Sequence, residues 1–121
     1  MALYDNLPVY KVSYDLLRAI YRICSTMERC FRFTLGERLQ NDTIEILKSI
    51  YRANSRYDKA QDIEAAREYL AVVRVLLRVA HEEKQIPLKK YIEICDMTES
   101  VSKQLTAWSK SARTPNAPDG K

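Results

Sequence analysis

The chain has 121 residues and a mass of 14.1 kDa, the size of one domain: long enough to bury a core, too short to join a cofactor domain to a separate substrate domain. Its 20 lysines and arginines exceed its 16 aspartates and glutamates by four, a balance that favours acidic partners such as nucleic acid without identifying one. Two glycines so far apart cannot write a GxGxxG or a Walker-type phosphate loop, and with four prolines they are too few to punctuate a many-stranded sheet, so an all-α fold is expected.

Four amphipathic segments separated by short breakers predict an antiparallel up-down four-helix bundle over residues 1–110. The first, residues 8–29, opens at Pro8, which a first helical turn tolerates. Val9, Val12, Leu16, Ile20, Ile23 and Met27 fall within roughly 60° of one another and form its core stripe. The second, residues 35–53, is announced by Thr34, Leu35, Gly36 and Glu37, read as a capping box in which Thr34 and Glu37 satisfy each other's backbone amides. Leu35, Leu39, Thr43, Ile46, Ile50 and Ala53 continue on one face, widened by Leu47, until Asn54, Ser55 and Arg56 end the period. Gly36 in its first turn predicts a close approach of backbone or partner.

The third segment, residues 58–84, has a sufficient core stripe in Ile63, Ala66, Leu70, Val73 and Leu77, yet Val72, Val75, Leu76 and Val79 point elsewhere. A helix apolar on most of its circumference needs a second cover, and in a chain this small we expect another copy, making these four residues candidates for a homo-oligomer interface. The fourth, residues 87–110, opens at Pro87 and carries Tyr91, Ile94, Thr98, Val101, Leu105 and Trp108 at alternating three and four spacing. The tail 111–121, SARTPNAPDGK, lacks large apolar residues and is expected to be disordered.

Cys24, Cys30 and Cys95 are odd in number and unpatterned, giving neither a disulfide framework nor a CxxC motif; they read as small buried apolar groups in a reducing compartment. The start MALYDNLPVYKV is not a signal sequence, and no run approaches the roughly 18 apolar residues of a membrane span, so a cytoplasmic location is expected. The one histidine, His81, cannot form a His-pair metal site and reads as a helix-end packing residue. No catalytic residue, metal or cofactor is expected.

The candidate functional residues are cationic and aromatic. Lys11, Arg18, Arg22 and Arg29 are spaced 7, 4 and 7 apart, within about 40° on the first helix and away from its core. Arg67, Arg74 and Arg78 repeat the 7 and 4 spacing on the third. Two such ridges can follow successive phosphates; alternatively they are solvated faces with Asp15, Glu64 and Glu68 as local partners. Tyr10, Tyr14 and Tyr21 form a stripe beside the first ridge, suited to stacking on unpaired bases or to packing at a protein interface. A small all-α enzyme of the chorismate mutase type is a third reading, but it needs cations converging in a cleft.

The run from Phe31 to Ala53, FRFTLGERLQNDTIEILKSIYRA, resembles the RFxLGxRI-type segment of the small four-helix-bundle family that includes the accessory variability determinants (Avd) of diversity-generating retroelements. VLLRVAHEEKQIPLKKY, VSKQLTAWSK and the opening LPVYKVSYDLLRAIY are similar to further parts of that family, so the resemblance spans residues 7–110. Thr106, Ala107 and the neighbourhood of Ser102 stand where members often carry glycines, and the related branch encoded within ribosomal RNA genes shares the fold. The resemblance implies a basic, non-enzymatic bundle that forms a homo-oligomer, typically a pentameric barrel. It implies association with a reverse transcriptase and its template RNA, with DNA as an alternative, in mutagenic cDNA synthesis, without a small-molecule substrate. Arg32, Phe33, Leu35, Gly36 and Arg38 match the shared motif, with Phe33, Leu35 and Gly36 expected to be structural and Arg32 and Arg38 either structural ion pairs or RNA contacts. A helical scaffold that binds only protein is the leading alternative.

Overall fold

The computed structural model describes residues 6–112, which form four long helices with no strand among them. Helix α1 is Pro8–Cys24. Helix α2 runs unbroken over residues 29–55, as an α-helical turn Arg29–Phe31, a π-helical turn Arg32–Gly36 and an α-helix Glu37–Ser55. Helices α3 and α4 are Ala60–Glu82 and Leu88–Ala112. α1 packs on α2 and α4, and α3 packs on the same two, so α1 and α3 stand at diagonal corners of a four-helix bundle.

Short connections and cross-helix pairs make neighbouring helices antiparallel: Arg74 meets Glu99 while His81, one stretch further along α3, meets Tyr91, earlier in α4. Leu16, Ile20, Leu39, Ile46, Ile50, Ile63, Val73, Leu77, Val101 and Leu105 are fully enclosed, each stabilising the fold by about 1.5–3 kcal/mol relative to exposure. Asp62 on α3 is buried between Arg52, 3.5 Å away, and Arg56, 3.3 Å away, which ties α2 to α3 at one end. At the other end the Gln85 side chain accepts from the Glu28 amide at 2.8 Å, linking the two connections found there.

The helix ends depart from the sequence expectation for local reasons. α1 stops at Cys24 instead of continuing to residue 29, because Ser25 and Thr26 turn their hydroxyls onto the carbonyls of Arg22 and Ile23, at 2.7 and 2.8 Å, a bond that competes with helix continuation. Met27 still reaches the core, but from the connection. α2 correspondingly begins at Arg29, so Thr34 is no cap: it lies inside the π turn and donates to the Cys30 carbonyl at 2.7 Å. α3 is shorter than residues 58–84 and ends in a Schellman motif, with Lys84 at φ 63° and the Gln85 amide donating to the Ala80 carbonyl at 2.8 Å. α4 takes in Ser111 and Ala112, and the rest of the expected disordered tail lies outside the described residues.

Candidate nucleic-acid interface

The two cation ridges share a spacing but not an environment. On α1, Lys11, Arg18 and Arg22 are exposed and make no ion pair with any described residue. Asp15, the expected local partner, is half-buried and takes none of them. On α3, every ridge arginine holds a carboxylate: Arg67 with Glu64 at 3.5 Å, Arg74 with Glu99 of α4 at 3.1 Å, and Arg78 with Glu82 at 3.0 Å. Glu82 also raises the Arg78 guanidinium pKa above its ordinary value. Of the two ridges, only that of α1 is therefore free of ion pairs.

Arg29 does not extend that ridge, because α1 ends before it; it opens α2, with its guanidinium 5.8 Å from the centre of the Phe33 ring. Contrary to its expected structural role, Phe33 is presented to solvent by the π turn, while Gly36 is buried and Leu35 half-buried, and Arg32 folds back onto the Met27 carbonyl at 3.2 Å. Arg38 pairs with Asp42 at 2.8 Å, an exposed guanidinium on a buried carboxylate. Both motif arginines thus make structural contacts within the chain.

Tyr14 and Tyr21 are each 47% exposed. Tyr10, half-buried, turns into a cleft of about 440 Å³ between α1 and α2, lined also by Ile44, Leu47, Lys48, Tyr51 and Arg52. Tyr51 was not singled out from the sequence, although it sits beside the α2 core stripe at the fourth residue after Leu47. Lys48 pairs with Glu45 at 3.2 Å, and Arg52 is held by Ser49 and Asp62, so both cations that line this cleft are already engaged.

The expected apolar surplus of α3 is outward-facing: Val72, Val75 and Val79 are 37%, 61% and 39% exposed, while Leu76 is half-buried against the core. Leu88 and Ile92 add exposed apolar surface on α4. A second groove of about 490 Å³ lies between α1 and α4, with Ala19, Ile23, Ile94 and Met97 in its walls. Arg22 borders it, but the other cation, Lys90, is 3.6 Å from Glu93, so it lacks the converging free arginines that a dianionic substrate needs.

The remaining chemistry-bearing side chains have packing roles. His81 stacks on Tyr91 with ring centres 4.4 Å apart and places Nδ1 3.0 Å from the Ile86 carbonyl. Cys24 is buried, which raises its thiol pKa, and its Sγ lies 3.5 Å from the Gly36 carbonyl. Cys95 is half-buried, but Cys30 is exposed, contrary to the expectation that all three are buried, because it occupies the first turn of an α2 that begins earlier than its apolar stripe. Among the described residues no group of His, Cys, Asp or Glu is placed to hold a metal ion, and no helix is long and apolar enough to cross a membrane.

A comparison with curated proteins gives no match. The family model described as bAvd-like matches residues 8–112, which is all of the described bundle except Asn6 and Leu7. That span takes in the α1 ridge, the π turn with its RFTLG sequence and the apolar face of α3, and the chain belongs to the bAvd-like family.

Proposed function

We propose that this protein is the non-enzymatic accessory subunit of a diversity-generating retroelement, acting in the cytoplasm as a homo-oligomer. It binds the element's template RNA and reverse transcriptase and supports mutagenic cDNA synthesis. The observation that carries the RNA-binding part is the row of uncompensated cations on α1, Lys11, Arg18 and Arg22, in a chain of the bAvd-like family. Three charges with no carboxylate partner release counterions when they meet phosphates, and no internal ion pair has to break first. The free face suits a role in positioning RNA, and the α1–α4 groove does not suit catalysis on a dianion.

The test is a salt titration of binding to a structured RNA. Affinity is expected to fall steeply with salt, and Arg18→Glu combined with Arg22→Glu is expected to weaken binding at least about tenfold and to flatten the log–log slope by about two. Salt-independent affinity, or an unchanged slope in the double variant, would overturn phosphate contact by α1. No RNA retention at moderate salt would instead favour a scaffold that binds only protein.

A further inference from the structure

We propose that the α1–α2 cleft is a seat for unpaired bases, so that the ligand of the α1 face is a single-stranded stretch of RNA and not a duplex. The inference rests on the RNA-binding reading above and adds the strandedness of the ligand and the residues that read it. Tyr10, Tyr14 and Tyr21 lie on α1 about 80° around the helix axis from Lys11, Arg18 and Arg22, and Tyr10 of this row lines the cleft against α2. Tyr10 and Tyr51 line this cleft from α1 and α2, together with Ile44 and Leu47. A cation row and an aromatic row thus run side by side along one helix, and the aromatic row meets an apolar trough at Tyr10.

Such an arrangement separates the two halves of a nucleotide. Phosphates following the α1 cations would direct bases toward the tyrosines, where stacking is sequence-tolerant because every base has a π face. The α2 wall reinforces this polarity, since Lys48 and Arg52 are already engaged by Glu45, Ser49 and Asp62 and leave the backbone to α1. A volume of about 440 Å³ lies within the roughly 300–1,000 Å³ of sites that hold small molecules, enough for a planar base. A duplex keeps its bases stacked inside and offers the cleft nothing but phosphates, so it uses the cations and not the rings.

The test compares a fluorescein-labelled mixed-sequence RNA strand with the blunt duplex of the same strand by anisotropy at low salt. Single-stranded RNA is expected to bind about tenfold or more tightly than the duplex. Tyr14→Ala with Tyr51→Ala is expected to weaken single-strand binding by about tenfold or more, as loss of stacking predicts, and to leave duplex binding unchanged. Tyr14→Phe with Tyr51→Phe, which keeps the rings, is expected to restore single-strand affinity; this separates stacking from a loss of fold, which circular dichroism of each variant also monitors. Equal affinity for strand and duplex, or an Ala variant that binds the strand normally, would overturn the cleft proposal while leaving phosphate contact by α1 standing. Binding of neither RNA would overturn both.

Discussion

Gly36 is the residue on which the α1–α2 junction closes. A β-carbon there would lie 3.3 Å from the Cys24 sulfur, 3.5 Å from its Cβ and 3.5 Å from the Met27 sulfur. Gly36→Ala is expected to change stability by less than about 1 kcal/mol, because better helix propensity offsets a small shift of two flexible sulfur side chains. Gly36→Val pushes two further carbons into the same contact and is expected to destabilise by about 1–3 kcal/mol, read as a lower urea midpoint. A Val variant as stable as the parent would show that the junction is looser than its distances imply. The need for a close approach at Gly36 was legible from a glycine placed early in a helical pattern, whereas the role of Thr34 was not. Its spacing to Glu37 satisfies a capping box, but the helix had already started at Arg29, and a π turn leaves no period in the sequence to announce it.

At the scale of the helix, the instructive contrast is between α1 and α3, whose cations share the 7 and 4 spacing. Sequence periodicity placed Lys11, Arg18 and Arg22 on one face of α1, Arg67, Arg74 and Arg78 on one face of α3, and nearly all of the core stripes, because each depends only on the geometry of one helix; it failed for Arg29, which lies beyond the end of α1. It did not distinguish the ridges, since Arg74 is neutralised by Glu99 from another helix and no within-helix spacing reports that neighbour. Nor could it give the Tyr10–Tyr51 cleft, which exists only once α1 and α2 lie antiparallel. Exposed ion pairs are weak, worth about 0–1 kcal/mol, so the α3 arginines are free to leave their partners, but the carboxylates left behind still repel an approaching phosphate. Lys11→Gln, Arg18→Gln and Arg22→Gln together are therefore expected to lower RNA affinity at least about tenfold, and Arg67→Gln, Arg74→Gln and Arg78→Gln together by about twofold or less. Filter binding of the two triple variants decides it, and equal losses would mean that the α3 ridge contacts RNA as well.

For the whole molecule, α1 with its cation row and α3 with its apolar strip stand at diagonal corners of the bundle. The apolar strip Val72, Val75 and Val79 is on the helix diagonal to the one that carries the cation row, so a contact between copies through this strip would not itself cover the α1 cations. In the assembly proposed above, every added copy would contribute its net charge of +4, and RNA affinity is expected to grow by multivalency as well as by charge. Light scattering is expected to give a particle several times the 14.1 kDa of one chain, about 70 kDa if five copies assemble in the closed ring that cyclic symmetry allows. Val75→Glu with Val79→Glu, both on the outward face, is expected to yield monomers with unchanged helix content, because the charges stay in water when the subunit is alone and are desolvated only in the interface. Those monomers should bind RNA more weakly than the assembly while keeping the same single-site preference for α1. A parent protein of 14 kDa at high concentration would rule out assembly and assign the exposed valines to a different partner.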